Sequence, residues 1–134
     1  MEAWVVDDTG IPKKGTHSVG VARQYCGPLG KQDNCQVVVT LSLCNSLMSV
    51  PSAYRLYLPE SWAEDAARRR AAGIPRQVHF HPKWEIALGQ VDAMLTEQLP
   101  LAPVVADAGY GDVTAFREAL TERGLSYAAC TGRS

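Results

Sequence analysis

The sequence predicts a mixed α/β fold, and three observations carry that reading. Residues 4–58 are rich in short apolar and β-branched runs punctuated by glycine and proline. Residues 61–99 switch to helical spacing. An apolar triplet, a helix and a last extended segment then follow.

Trp4-Val5-Val6 is the first strand, running straight into Asp7-Asp8-Thr9-Gly10, then Pro12 and Gly15. Residues 18–25 alternate as a second strand, expected to pair with the first as a hairpin-like ribbon. Beyond Gly27-Pro28-Leu29-Gly30, residues 36–43 form the most β-branched run of the chain. Another strand at 53–58 follows Pro51 and stops at Pro59. Ser61 with Glu64 three residues on is a capping-box pattern, opening a helix to residue 72 that Gly73 and Pro75 end. After Pro82 a second helix puts Trp84, Ala87/Leu88, Val91 and Met94/Leu95 on one stripe, closed by Pro100 and Pro103. Val104-Val105-Ala106 is a strand running into Asp107-Ala108-Gly109-Tyr110-Gly111. Asp112 then reads as the N-cap of a helix with Val113, Phe116 and Leu120 inward and Gly124 at its C-cap, before a short strand at 125–130. The order is an antiparallel meander, helices, strand, helix, strand, with no internal repeat or linker.

At 134 residues, 46% hydrophobic and 20% charged, the chain can bury one ordinary core and is not a disordered or low-complexity polypeptide. Its 13 basic and 14 acidic residues leave a net charge of −1, so no chain-wide basic field holds nucleic acid and any basic surface must be local. Neither a signal peptide nor a bilayer-spanning run is present, which predicts a soluble cytoplasmic protein that does not engage a membrane. Cys26, Cys35, Cys44 and Cys130 form no C-x-x-C pair and read as reduced thiols; two disulfides are the alternative.

The chemistry concentrates where two apolar strands each meet carboxylates, at Asp7/Asp8 and at Asp107. If the strands are neighbours in one sheet, these groups converge on one edge. Hard oxygen ligands with no Cys or His beside them favour Mg²⁺ or Mn²⁺ over Zn²⁺ and suit phosphoryl transfer. Asp before glycine is also common turn chemistry, so spacing alone leaves a purely structural role open. Strand alternation puts Asp7 and Asp8 on opposite faces, and only one can share a face with Asp107.

Long stretches in matching order resemble the DDE-superfamily transposases of bacterial insertion sequences, the insertion-sequence-701 type above all. They are Trp4-Val5-Val6-Asp7-Asp8-Thr9-Gly10-Ile11-Pro12-Lys13-Lys14-Gly15, His17-Ser18-Val19-Gly20-Val21-Ala22-Arg23-Gln24-Tyr25-Cys26-Gly27, Gly30-Lys31-Gln32-Asp33-Asn34-Cys35-Gln36, Tyr54-Arg55-Leu56-Tyr57-Leu58-Pro59 and Val105-Ala106-Asp107-Ala108-Gly109-Tyr110-Gly111. The resemblance implies a ribonuclease-H-like fold: an antiparallel three-stranded meander plus parallel strands, with flanking helices. It implies that Asp8, directly before the threonine, and Asp107 are the first two catalytic acids, with Asp7 the alternative ligand. It implies two Mg²⁺ ions in the intact enzyme, DNA strand cleavage and transfer, transposon ends and target DNA as partners, self-association, and a bacterial, nucleoid-associated setting.

The resemblance also implies a third acid, a glutamate on a helix beyond the last strand, for which Glu118 and Glu122 do not substitute. Residues 1–134 are therefore expected to be a partial catalytic domain, incomplete at its C-terminus, inactive alone and prone to self-associate. The alternative is a non-catalytic remnant that binds DNA or associates with the full-length enzyme. Lys13, Lys14, Arg23 and Lys31 lie in an acid-free stretch after the first aspartates and are the expected DNA-phosphate contacts; an ordinary solvated ribbon is the plainer reading. Arg68-Arg69-Arg70 is expected to be a solvated helix face, as are Glu118 and Glu122 with Arg117 and Arg123. His79 and His81 read as surface or packing histidines. A phosphorylatable receiver domain is excluded, because Ser49 to Ser52 occupy the place of its acceptor aspartate.

Overall fold

Trp4, Val6 and Gly10 are buried while their neighbours are more exposed, and this alternation fixes one face of a long first strand, β1 (Ala3–Pro12). A computed structural model describes residues 2–15, 17–26 and 31–129. The remaining elements are β2 (Ala22–Cys26), β3 (Lys31–Cys44), β4 (Ser49–Tyr57), α1 (Glu60–Ala63), α2 (Ala66–Ala72), α3 (Lys83–Thr96), β5 (Val104–Ala106), α4 (Ala108–Gly111), α5 (Thr114–Glu122) and β6 (Tyr127–Ala129).

The six strands form one mixed sheet in the order β2-β3-β1-β5-β6, with β4 also paired to β3. The amide of Glu2 bonds the carbonyl of Cys44 and that of Lys13 the carbonyl of Asn34, so β1 and β3 run antiparallel. β5 pairs β1 in parallel, Trp4 with Val104 and Val5 with Val105, and β6 pairs β5 in parallel. The meander is thus β1-β3-β4 with two parallel strands beyond β1, the ribonuclease-H-like mixed α/β arrangement that the resemblance implies. Residues 18–25 do not pair with β1. Their strand begins only at Ala22 and pairs antiparallel with the start of β3. Gly20 adopts φ 79°, and a side chain there would meet the Tyr57 carbonyl at 2.9 Å, so the chain turns where alternation predicts a strand.

Contacts divide the chain into two units. The first comprises Met1–Asp7, Val39–Arg55 and Lys83–Ser134, the second Asp8–Val38 and Leu56–Pro82. The first unit buries Trp4, Leu41, Val91, Val104, Phe116 and Leu120. On α3 the buried stripe is Ile86, Ala87, Gln90, Val91 and Met94, rotated from the expected one, with Trp84 and Leu88 only half-buried. Gln90 lies within it because its Nε2 donates to the Val39 carbonyl at 2.9 Å.

The second unit packs Val21, Leu58 and Trp62 together, with Val19, Ala63, Ala72, Ile74 and Val78 around them. The Trp62 indole donates to the Val21 carbonyl at 2.6 Å. The helix expected from a Ser61/Glu64 capping box is two helices instead. α1 starts after Pro59 with no side-chain cap, and Asp65 caps α2 by accepting from the Arg68 amide at 3.0 Å. Gly73, left-handed at φ 72°, ends α2. The expected Asp112 cap is likewise displaced. Val113 occupies the N-cap of α5, and Gly124, at φ 76°, follows its C-cap Arg123.

The turn expected at residues 27–30 and the position of Cys130 lie outside the described residues. Cys35 and Cys44 are free thiols. No helix among the described residues is long and apolar enough to cross a membrane.

Candidate metal centre

β1 and β5 carry the acids, though not as the sequence suggests. Asp7 and Asp8 sit in the middle of β1, because the strand continues to Pro12 rather than stopping at the carboxylates. Asp107 follows the last residue of β5. Its Oδ1 accepts from the Gly109 amide at 2.9 Å, and its carbonyl accepts from the amides of Tyr110 and Gly111, so the expected glycine-rich turn is a one-turn helix capped by Asp107. Gly109 is closely approached, and Gly111 is needed for space. A Cβ at Gly109 would stand 3.1 Å from Asp107 Oδ1, and one at Gly111 would overlap the Tyr127 hydroxyl. That hydroxyl donates to the Ala106 carbonyl at 3.1 Å, with the Asp107 carbonyl at 3.5 Å, and the Tyr127 ring packs edge-on against Phe116. β6 and α5 thus fix the backbone that presents Asp107.

Asp7, Asp8 and Asp107 each offer an oxygen, and these oxygens all lie within 4.8 Å of one another. Asp7 is exposed, and Asp8 and Asp107 are half-buried. The parallel register continued from Val5 and Val105 puts Asp7 level with Asp107. Alternation separates the stems of Asp7 and Asp8, yet both carboxylates reach the group. Where ionised, each pair repels by roughly 1 kcal/mol in bulk water and roughly 3 kcal/mol at an effective dielectric near 20, which a divalent cation would reverse. An all-oxygen, all-carboxylate set fits a hard ion such as Mg²⁺ or Mn²⁺. It is the only such group of three among the described residues, so His79 and His81 gain no third ligand.

A family model described as DDE superfamily endonuclease matches residues 1–131. This chain belongs to the DDE superfamily endonucleases. It is 32% identical over 124 residues to a protein of Microchaete diplosiphon named "Probable transposase for insertion sequence element IS701". The match covers 92% of this chain and 30% of that relative's length. DDE endonucleases generally use divalent metal ions, which agrees with the donor set formed by the three aspartates.

In this DDE endonuclease chain the expected phosphate contacts all fall in the second unit. Lys13, Lys14, Arg23 and Lys31 are exposed, and none forms an ion pair among the described residues. Lys13 and Arg23 flank Asn34 on β3, the first through its amide and the second as cross-strand partner. The Asn34 side-chain amide donates to the carbonyls of Lys13 at 2.9 Å and Gly15 at 2.7 Å, holding the turn that carries the lysines. Only the polar character of Asn34 in the sequence hinted at this.

Two expectations about charge are corrected. Arg68 and Arg69 are not a solvated face: the Arg68 guanidinium lies 3.9 Å from the centre of the Trp62 ring, and Arg69 donates to the carbonyls of Ala63, Pro75 and Val78. Glu118 and Glu122 are exposed as expected, but Arg117 turns to the Gly111 carbonyl and Thr114. Arg123 forks onto Asp92 at 2.6 and 3.1 Å, and that hydrogen bond is the main cause of its raised pKa.

Proposed function

We propose that this chain forms part of the catalytic core of a DNA transposase that cleaves DNA strands and joins the freed 3′ end to target DNA. The observation that carries this reading is the meeting of Asp7, Asp8 and Asp107 within 4.8 Å. Asp8 and Asp107 are the metal-holding pair, with Asp7 a further oxygen on the exposed side. A divalent ion bound there would polarise a phosphodiester and help activate water or a 3′-hydroxyl. The chain's own contribution is to hold the acids in register through β1 and β5, and to fix Asp107 through the Gly109 amide and Tyr127. Lys13, Lys14, Arg23 and Lys31 would take up backbone phosphates.

Three carboxylates hold one ion well and a second poorly, so a further acid is expected to complete the two-ion site. The exposed Glu118 and Glu122 of α5 do not join the group. The 134-residue chain alone is accordingly proposed to bind a cation and DNA without cutting, which keeps the reading of a DNA-binding remnant in view. In the intact enzyme self-association would draw on the exposed Leu47, Met48, Val50 and Tyr54, and its DNA substrate sets a nucleoid-associated, cytoplasmic location.

Manganese titration followed by electron paramagnetic resonance, with plasmid nicking measured in parallel, tests the site. The expected result is cation binding by this chain, lost in Asp8→Asn and Asp107→Asn, and nicking only by a longer protein bearing the further acid. Robust nicking by the 134-residue chain would refute its proposed inactivity; cation binding indifferent to both substitutions would refute the site. Charge reversal at Lys13 and Lys14 should lower the salt slope of DNA binding by about 1–2, and an unchanged slope would remove them from the interface.

A further inference from the structure

The most basic stretch of the chain lies elsewhere in the sequence. Residues 66–84 contain Arg68, Arg69, Arg70, Arg76 and Lys83 with His79 and His81, and no Asp or Glu. In the second unit part of this stretch lines an open cleft of about 360 Å³, walled by Glu64, Arg69, Arg70, Ile74, Arg76 and His79.

The arginines divide by what they touch. Arg68 is committed to the Trp62 ring. Arg69 lines the cleft but donates to Pro75 at 3.0 Å, Val78 at 2.5 Å and Ala63 at 3.4 Å, so it braces the loop after α2 against the end of α1. Arg70, Arg76 and His79 are exposed, and their side chains make no hydrogen bond or ion pair among the described residues. A braced wall therefore carries two uncommitted guanidinium forks and an imidazole, opposed by the single carboxylate of Glu64. Planar forks on a fixed frame suit the paired non-bridging oxygens of a phosphodiester.

We propose that this cleft seats a backbone phosphate of a DNA strand, held by Arg70 and Arg76 with His79 at its side, as a contact additional to the lysine-bearing turn. The assignment rests on the reading that the protein acts on DNA.

The test is fluorescence anisotropy of a mixed-sequence duplex with this chain across 50–200 mM salt. The wild type is compared with Arg70→Ala/Arg76→Ala, with Arg70→Lys/Arg76→Lys, and with Arg55→Ala as an exposed cation outside the cleft. Each loss of a phosphate contact lowers the slope of log K against log salt by about 0.9. The double alanine variant should lose about 1–2 in slope with an unchanged melting temperature. The double lysine variant should keep the slope at reduced affinity, because charge survives and the fork does not. A double alanine variant with wild-type slope, or one no different from Arg55→Ala, overturns the cleft and leaves the DNA reading standing. A wild-type chain that binds no duplex overturns the DNA reading and the cleft with it. Inorganic phosphate at matched ionic strength should compete for DNA more strongly with the wild type than with the double alanine variant, which keeps the lysine-bearing turn; equal competition in both would also count against the cleft.

Discussion

Asp7, Asp8 and Asp107 are gathered by backbone, whereas Arg68 and Arg69 are held by what their own side chains touch. In the first case two parallel strands bring three like charges within 4.8 Å of one another. In the second, cations crowded in sequence are drawn apart, one onto an indole and one onto three carbonyls. A crowd of like charges in sequence therefore says little about a site, since short helices can spread it over unrelated contacts. A crowd assembled from distant parts of the chain says more, because packing and register had to bring the groups together against their repulsion.

The sharpest way to break this contrast is to neutralise the assembled acids. Saturating Mn²⁺ at about 100 times its dissociation constant should stabilise the chain by about 2.7 kcal/mol, read as a rise in melting temperature. Asp8→Asn or Asp107→Asn should abolish that rise. A cation response that survives both would make the acid edge structural. Larger in kcal/mol, Trp62→Ala should cost about 3–5 kcal/mol in urea unfolding, while Arg68→Ala should cost only about 1 kcal/mol. Equal losses would mean that the arginine is as much a part of that core as the ring beneath it.

Gly111→Ala should cost about 1–3 kcal/mol by forcing Tyr127 from its place, and should weaken Mn²⁺ binding because the Asp107 backbone loses its brace. Gly89→Ala, at a position of α3 with open space around it, should stabilise by up to about 1 kcal/mol and leave cation binding alone. Calorimetric titration of the two variants separates a positioning effect from a general one. Of the same size as the Arg68→Ala loss, Asp65→Ala should cost about 1 kcal/mol by removing the cap of α2, checked by thermal melting.

The acid edge was legible because apolar triplets meeting carboxylates occur twice, and both strands lie side by side. What remained hidden was set by tertiary demands. Val19-Gly20-Val21 alternates like a strand, but Gly20 turns left-handed to pass close to Tyr57. Lys31 to Asn34 are poor strand formers, yet they pair with β2 and hold the Lys13 turn. Ser61 and Asp65 are both competent caps. The helix begins at Glu60 before Ser61 can act, and Asp65 then caps the next one. The buried Gln90 was unreadable because its partner, the Val39 carbonyl, belongs to a distant strand.

The pairing of Trp4 with Val104 and of Val104 with Tyr127 has a consequence for the order of events during synthesis. About 100 residues separate the first pair, and closing so long a loop is among the slower steps of folding. β5 lies between a strand made about 100 residues before it and one made after it, so an emerging chain on the ribosome holds Asp7 and Asp8 long before it has an Asp107 to set beside them. Whatever the assembled acids do, a half-made chain is barred from doing it.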